Sequence, residues 1–101
     1  MLLNLFYSVG FMRVSGQLEG AREMLTLYDH PDSSCALRVR FLLAELDLPY
    51  DRQQVPMVHP RPADYLDLNP VGGIPTLVDD GFILSESHAI LRYLVAREDV
   101  P

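Results

Sequence analysis

Asn69-Pro70-Val71-Gly72-Gly73-Ile74-Pro75-Thr76-Leu77-Val78, with Glu86-Ser87 a short way downstream, is the stretch on which the reading of this chain turns. A proline immediately ahead of a run of β-formers marks the first residue of a strand, because it has no N–H to give to a ladder. The backbone of the residue before it, Ile74, then stays open to pair with an extended guest, which reads as a peptide-binding edge. An acid and a hydroxyl at the mouth of the next helix, Glu86 and Ser87, suit the charged end of such a guest.

Working outward, Leu25-Thr26-Leu27-Tyr28 reads as a strand closed by Asp29-His30-Pro31. Asp32 or Ser33 is placed to cap a helix that runs to about Leu46, where Asp47-Leu48-Pro49 stops it. Tyr50 to Val55 is a second strand, and His59-Pro60-Arg61-Pro62 is a loop too rich in proline for regular structure. Ala63 to Leu68 is a short helix ended by Asn69-Pro70. Thr76 to Val78 and Phe82 to Leu84 flank Asp79-Asp80-Gly81, a hairpin signal, and Ser85 caps a last helix reaching Arg97. The order βαβαββα predicts an α/β fold: a four-stranded mixed sheet with three helices, in the thioredoxin-like arrangement. The first crossover gives a parallel pair, and the hairpin adds an antiparallel edge.

The bulk composition narrows the function. One hundred and one residues allow one small domain, and 49% hydrophobic residues suffice for its core. A net charge of −6, spread without runs, argues against a basic groove for nucleic acid. The single cysteine, Cys35, excludes an internal disulfide framework and a multi-cysteine zinc cluster, so no metal and a reducing, cytoplasmic setting are expected.

Residues 1–23 differ in character from the rest of the chain. Met1 to Met12 is apolar and Arg13 to Glu23 polar; the apolar run is too short to span a bilayer and lacks the basic start of a signal peptide. We expect 1–23 to be a poorly ordered extension outside the fold and 24–101 to be the domain, with no membrane role for the chain. The two long helices carry another message. Ala36, Leu37, Val39, Phe41, Leu42, Leu43 and Leu46 surround the first, leaving mainly Arg38, Arg40 and Glu45 for water. The last, through Ala89, Ile90, Leu91, Tyr93, Leu94, Val95 and Ala96, has as little polar surface. A small sheet covers one stripe of each, so the other stripe should meet a further domain or a partner subunit.

Three segments together resemble the amino-terminal, glutathione-binding domain of a soluble glutathione S-transferase. Leu27-Tyr28-Asp29-His30-Pro31-Asp32-Ser33-Ser34-Cys35 resembles the serine-type opening of the theta, delta and zeta classes. Asn69-Pro70 through Ile74-Pro75-Thr76-Leu77 is similar to their second signature, and Leu84-Ser85-Glu86-Ser87-His88-Ala89-Ile90 to their third. The resemblance covers Met24 to about Arg97 and implies glutathione as co-substrate, with an electrophile as its acceptor.

It also implies roles for named residues. A free thiol titrates near about 8.5, and bringing it to about 6.5 takes roughly 2.7 kcal/mol of preference for the thiolate. A hydroxyl donating to the anion supplies about 1.5–3 kcal/mol, and a helix amino terminus roughly 0.3–1 kcal/mol more. Ser33 offers both, with Ser34 the second candidate; the plainer reading is a helix cap. Pro75 would be cis, turning the amide and carbonyl of Ile74 toward the cysteinyl backbone of glutathione. Ser87 would take the γ-glutamyl carboxylate and Glu86 the ammonium group, although an acid at a helix start also simply complements the dipole. His59 would stand near the glycyl carboxylate, or be a solvated loop residue. Gly72-Gly73 replaces a lysine-containing pair common in the family.

The implied function is to hold the glutathione thiolate for transfer to, or isomerisation of, an electrophilic substrate, in a homo-oligomer or with a helical domain beyond Pro101. Two rivals stay open. One is a non-catalytic interaction module of the same fold. The other is a glutaredoxin-like oxidoreductase using Cys35 in the first helical turn, against which Cys35 reads as a buried small hydrophobe facing the sheet.

Overall fold

The computed structural model describes residues 24–100. The segment 1–23, expected to lie outside the fold, falls outside the described residues. The elements are β1 (Leu25–Asp29), α1 (Ser34–Glu45), β2 (Asp51–Gln54), α2 (Ala63–Leu68), β3 (Thr76–Asp79), β4 (Phe82–Ser85) and α3 (Ser87–Arg97). The four strands form one sheet in the order β2-β1-β3-β4. β1 pairs parallel with β2 and antiparallel with β3, which pairs antiparallel with β4. This is the expected thioredoxin-like arrangement.

Alternation along β1 sets the layers. Leu25 and Leu27 are buried on one face, with Leu77 directly opposite Leu27. Val39 and Leu43 of α1 and Ile90 and Leu94 of α3 close that core, and the two helices pack on each other. Full burial of one such side chain is worth about 1.5–3 kcal/mol. Tyr28 and Thr76, also opposite one another, point to the other face, where Tyr65 of α2 meets the Tyr28 ring at 6.1 Å between centroids.

The far stripe of α1 is uncovered, whereas Leu91 and Val95 of α3 are half-buried and Leu91 packs on the core. Phe41 is 68% exposed and Leu37 is exposed too. On α3, Leu91, Arg92, Val95 and Ala96 line a shallow groove.

Some expectations are corrected. Arg40 does not face water: its Nη1 donates to Oδ1 of the fully buried Asp29 at 2.9 Å, and Arg52 Nε donates to Oδ2 at 2.6 Å. A buried carboxylate needs such partners, and this one ties β1, α1 and β2 together just before the Ser33 turn. Ser85 does not cap α3. It pairs with Thr76 as the last residue of β4, and Glu86 takes the cap position. The second strand is shorter than expected, Asp51–Gln54, with all four residues exposed.

Candidate functional site

The strand register brings the candidate segments together. Tyr28 of β1 pairs with Thr76 of β3, and Thr76 with Ser85 of β4. The Ser33 turn leaves the end of β1, Ile74-Pro75 leads into the start of β3, and Glu86-Ser87 leaves the end of β4. All three therefore lie at one end of the sheet. β2 runs parallel to β1, so the segment carrying His59 also starts from that end.

The Ser33 turn is built from its own backbone. Ser33 N–H donates to the His30 carbonyl at 3.0 Å, and Asp32 N–H to His30 Nδ1 at 3.1 Å. Ser33 is the N-cap of α1, its Oγ accepting from Ala36 N–H at 3.1 Å. A hydroxyl has one donor and two acceptor positions. Capping uses an acceptor and leaves the O–H free to donate, so the cap and the anion donor are compatible roles for one side chain. Ser34 is exposed in the first turn. Cys35 is half-buried beside the stripe of Ala36, Val39 and Leu43 that faces the core, and is not the buried hydrophobe expected.

The loop from Asn69 to Thr76 is pinned from inside by side chains that sequence reasoning did not single out. Asn69 Nδ2 donates to the Gly73 carbonyl at 3.0 Å and to Thr76 Oγ1 at 3.2 Å. Tyr65 O–H donates to the same carbonyl, and its oxygen lies 2.8 Å from Thr76 Oγ1. With the tyrosyl proton spent on Gly73, Thr76 donates to Tyr65 while accepting from Asn69, so each hydroxyl is satisfied. The only signal in the sequence was a polar residue at each end of an otherwise apolar motif. Arg61 Nε adds a bond to the Gly72 carbonyl at 2.8 Å.

Within this frame the Ile74–Pro75 bond is cis, as is His59–Pro60. Neither the amide nor the carbonyl of Ile74 has a hydrogen-bond partner among the described residues. Gly72 has φ +83°, and a Cβ there would lie 3.2 Å from Leu66 Cδ2 and 3.3 Å from Arg61 Cγ. Glycine meets both demands.

Glu86 has φ +80° and ψ 118°, its carbonyl accepts from Ile90 N–H at 2.9 Å, and its exposed side chain makes no capping bond. Such a conformation costs a non-glycine residue of order 1–3 kcal/mol. Ser87 is only 7% exposed, and its hydroxyl has no partner among the described residues. His59 is exposed and makes no hydrogen bond there, so nothing joins it to the other candidates beyond its loop, which Arg61 ties to Gly72. No group of three or more His, Cys, Asp and Glu among the described residues is arranged to hold a metal ion.

This geometry has counterparts. The family model for the glutathione S-transferase N-terminal domain matches residues 32–97. A stringent starvation protein A homolog of Coxiella burnetii is 40% identical over 75% of this chain and 36% of its own length. Glutathione S-transferase Z1 of Arabidopsis thaliana is 39% identical over 71% of this chain and 34% of its own length. Among solved structures, glutathione transferase E6 of Drosophila melanogaster superposes with a TM-score of 0.70 at 39% identity, covering 73% of this chain and 34% of that one. A glutathione transferase homologue from Drosophila mojavensis with bound glutathione gives 0.71 at 33% identity, over 77% and 36%. The chain thus spans about a third of the length of the curated relatives it matches. With the three signatures gathered at one end of a thioredoxin-like sheet and a family model spanning most of the described residues, the chain belongs to the glutathione S-transferase N-terminal domain family.

Proposed function

We propose that this domain binds glutathione at the end of the sheet where Ser33, Ile74 and Ser87 meet, and holds its thiolate for attack on an electrophile. The observation that carries the reading is the Ser87 hydroxyl, 7% exposed as a residue and without a hydrogen bond among the described residues. An unsatisfied buried hydroxyl costs about 1–3 kcal/mol, and at a helix amino terminus it suits a carboxylate. The γ-glutamyl carboxylate goes there and the ammonium group to Glu86. The free amide and carbonyl of Ile74 pair with the cysteinyl backbone, beside Pro75. Ser33 donates its O–H to the sulfur, with Ser34 as the neighbouring donor and His59 on the side of the glycyl end. Stabilisation of the anion comes from polar and dipolar groups instead of a side-chain base.

The electrophile is met by a second, helical body, in the same chain or a partner subunit, that covers the apolar stripes of α1 and α3. The half-buried Cys35 takes no part in the chemistry.

Calorimetric titration of the chain with glutathione, beside Ser33→Ala and Glu86→Ala, tests the reading. We expect Glu86→Ala to weaken binding. Ser33→Ala should raise the pKa of the bound thiol, followed by the ultraviolet absorbance of the thiolate. Absence of binding at millimolar peptide would remove the reading in favour of an interaction module, and activity lost on Cys35→Ser would favour the oxidoreductase.

A further inference from the structure

If glutathione binds as proposed, one of its two carboxylates goes to Ser87 and the other, at the glycyl end, is best matched by a cation. Few are available. Of the arginines among the described residues, Arg40 and Arg52 are paired with Asp29, and Arg97 with Asp79 and Glu98. Arg38 and Arg92 lie on the outer faces of α1 and α3. Arg61 differs from all of these. It is half-buried, makes no ion pair among the described residues, and sits at the end of the sheet where the candidate residues gather.

Its head group is also held in place. Nε donates to the Gly72 carbonyl at 2.8 Å and Nη1 to the Val58 carbonyl at 3.1 Å. Both partners are neutral, so they orient the guanidinium without cancelling its charge. A guanidinium carries five N–H donors in a planar fork, and these two bonds leave the rest of the fork unused. The contact runs through Gly72, two residues before Ile74, and the absence of a Cβ there leaves room for the Arg61 stem.

We infer that Arg61 holds the glycyl carboxylate of glutathione, so that the Gly72-Gly73 pair, which carries no cation, is served by a cation reaching in from the loop before α2. This rests on the glutathione reading and assigns to Arg61, not His59, the recognition of the second carboxylate. A fixed fork loses less freedom on binding than a mobile lysine would.

The test compares glutathione with its glycinamide analogue, in which that carboxylate becomes a neutral amide, by calorimetry on the full chain and on Arg61→Ala and Arg61→Lys. A charge-assisted contact of this kind is worth roughly tenfold or more in affinity. The unaltered chain should prefer glutathione by that factor. Arg61→Ala should bind both peptides equally, at the strength of the analogue, and Arg61→Lys should recover part of the preference. Arg61→Ala weakening both peptides alike would make Arg61 a loop brace and overturn the assignment, as would a preference that survives the substitution. If the unaltered chain binds neither peptide, the glutathione reading falls and the assignment with it.

Discussion

Single residues carry the tension in this domain. Glu86 sits at φ +80° in the cap position of α3, a conformation glycine adopts without penalty. Glu86→Gly should therefore raise stability by about 1 kcal/mol in denaturant unfolding while weakening glutathione binding; a destabilised variant would show that the side chain matters to the fold. Tyr93 supplies a pH signature. Its O–H donates to Asp79 Oδ2, and that bond, then burial, then the negative charge of Asp79 raise its pKa above the ordinary phenol value, against a smaller opposing effect of Arg97. The folded pKa exceeds the unfolded one, so the contribution is complete below about pH 10 and is lost as pH rises through the folded value. The melting temperature should fall more steeply above about pH 10 in the unaltered chain than in Tyr93→Phe; parallel curves would remove the phenol from the account. The Ser33 cap and the cis Ile74–Pro75 bond were legible because capping and proline chemistry act locally. Asp29, Tyr65 and Asn69 were not, since a buried polar side chain is defined by partners that only the tertiary fold supplies.

Among the elements, helix ends follow one rule twice. α1 and α3 both finish with an aspartate at positive φ, Asp47 at 55° and Asp99 at 55°. Leu48 N–H reaches back to the Leu43 carbonyl at 3.0 Å and Val100 N–H to Val95 at 3.1 Å. This is the Schellman ending, where glycine is usual and a negative charge opposes the dipole. Asp47→Gly and Asp99→Gly should each raise stability by roughly 0.5–1 kcal/mol, read as a higher midpoint in denaturant at unchanged slope; a loss would mean the aspartates have partners worth more. The hairpin was readable for the same local reason: Asp80 and Gly81, at φ 49° and 91°, make the two-residue turn that their dipeptide signals. The start of α3 was misjudged because Ser85 is a good cap in isolation, and its pairing with Thr76 draws it into the sheet. Arg40 was assigned to water for a similar reason, as its partner lies on a different element.

At the scale of the whole molecule, the apolar surface that the sequence puts on α1 lies open to water among the described residues, and such a surface favours a neighbour. Phe41, 68% exposed beside Leu37, is the centre of that surface on α1. We expect the chain to associate with rising concentration in sedimentation, and Phe41→Glu to shift it toward monomer without loss of stability, since the ring is already in water. A clean monomer for the unaltered chain at high concentration would refute this. The two ends of the sheet also divide the labour. Met24 is held by Asp80 N–H to its carbonyl at 3.1 Å, and Arg97 by Asp79 at 2.9 Å, so the described chain enters and leaves beside the hairpin. The loops that carry the candidate residues occupy the opposite end, one strand length away. The domain is therefore wired like a socket whose leads emerge from the back: a tag spliced before Met24 or after Val100 attaches beside the hairpin, a strand length from the candidate loops.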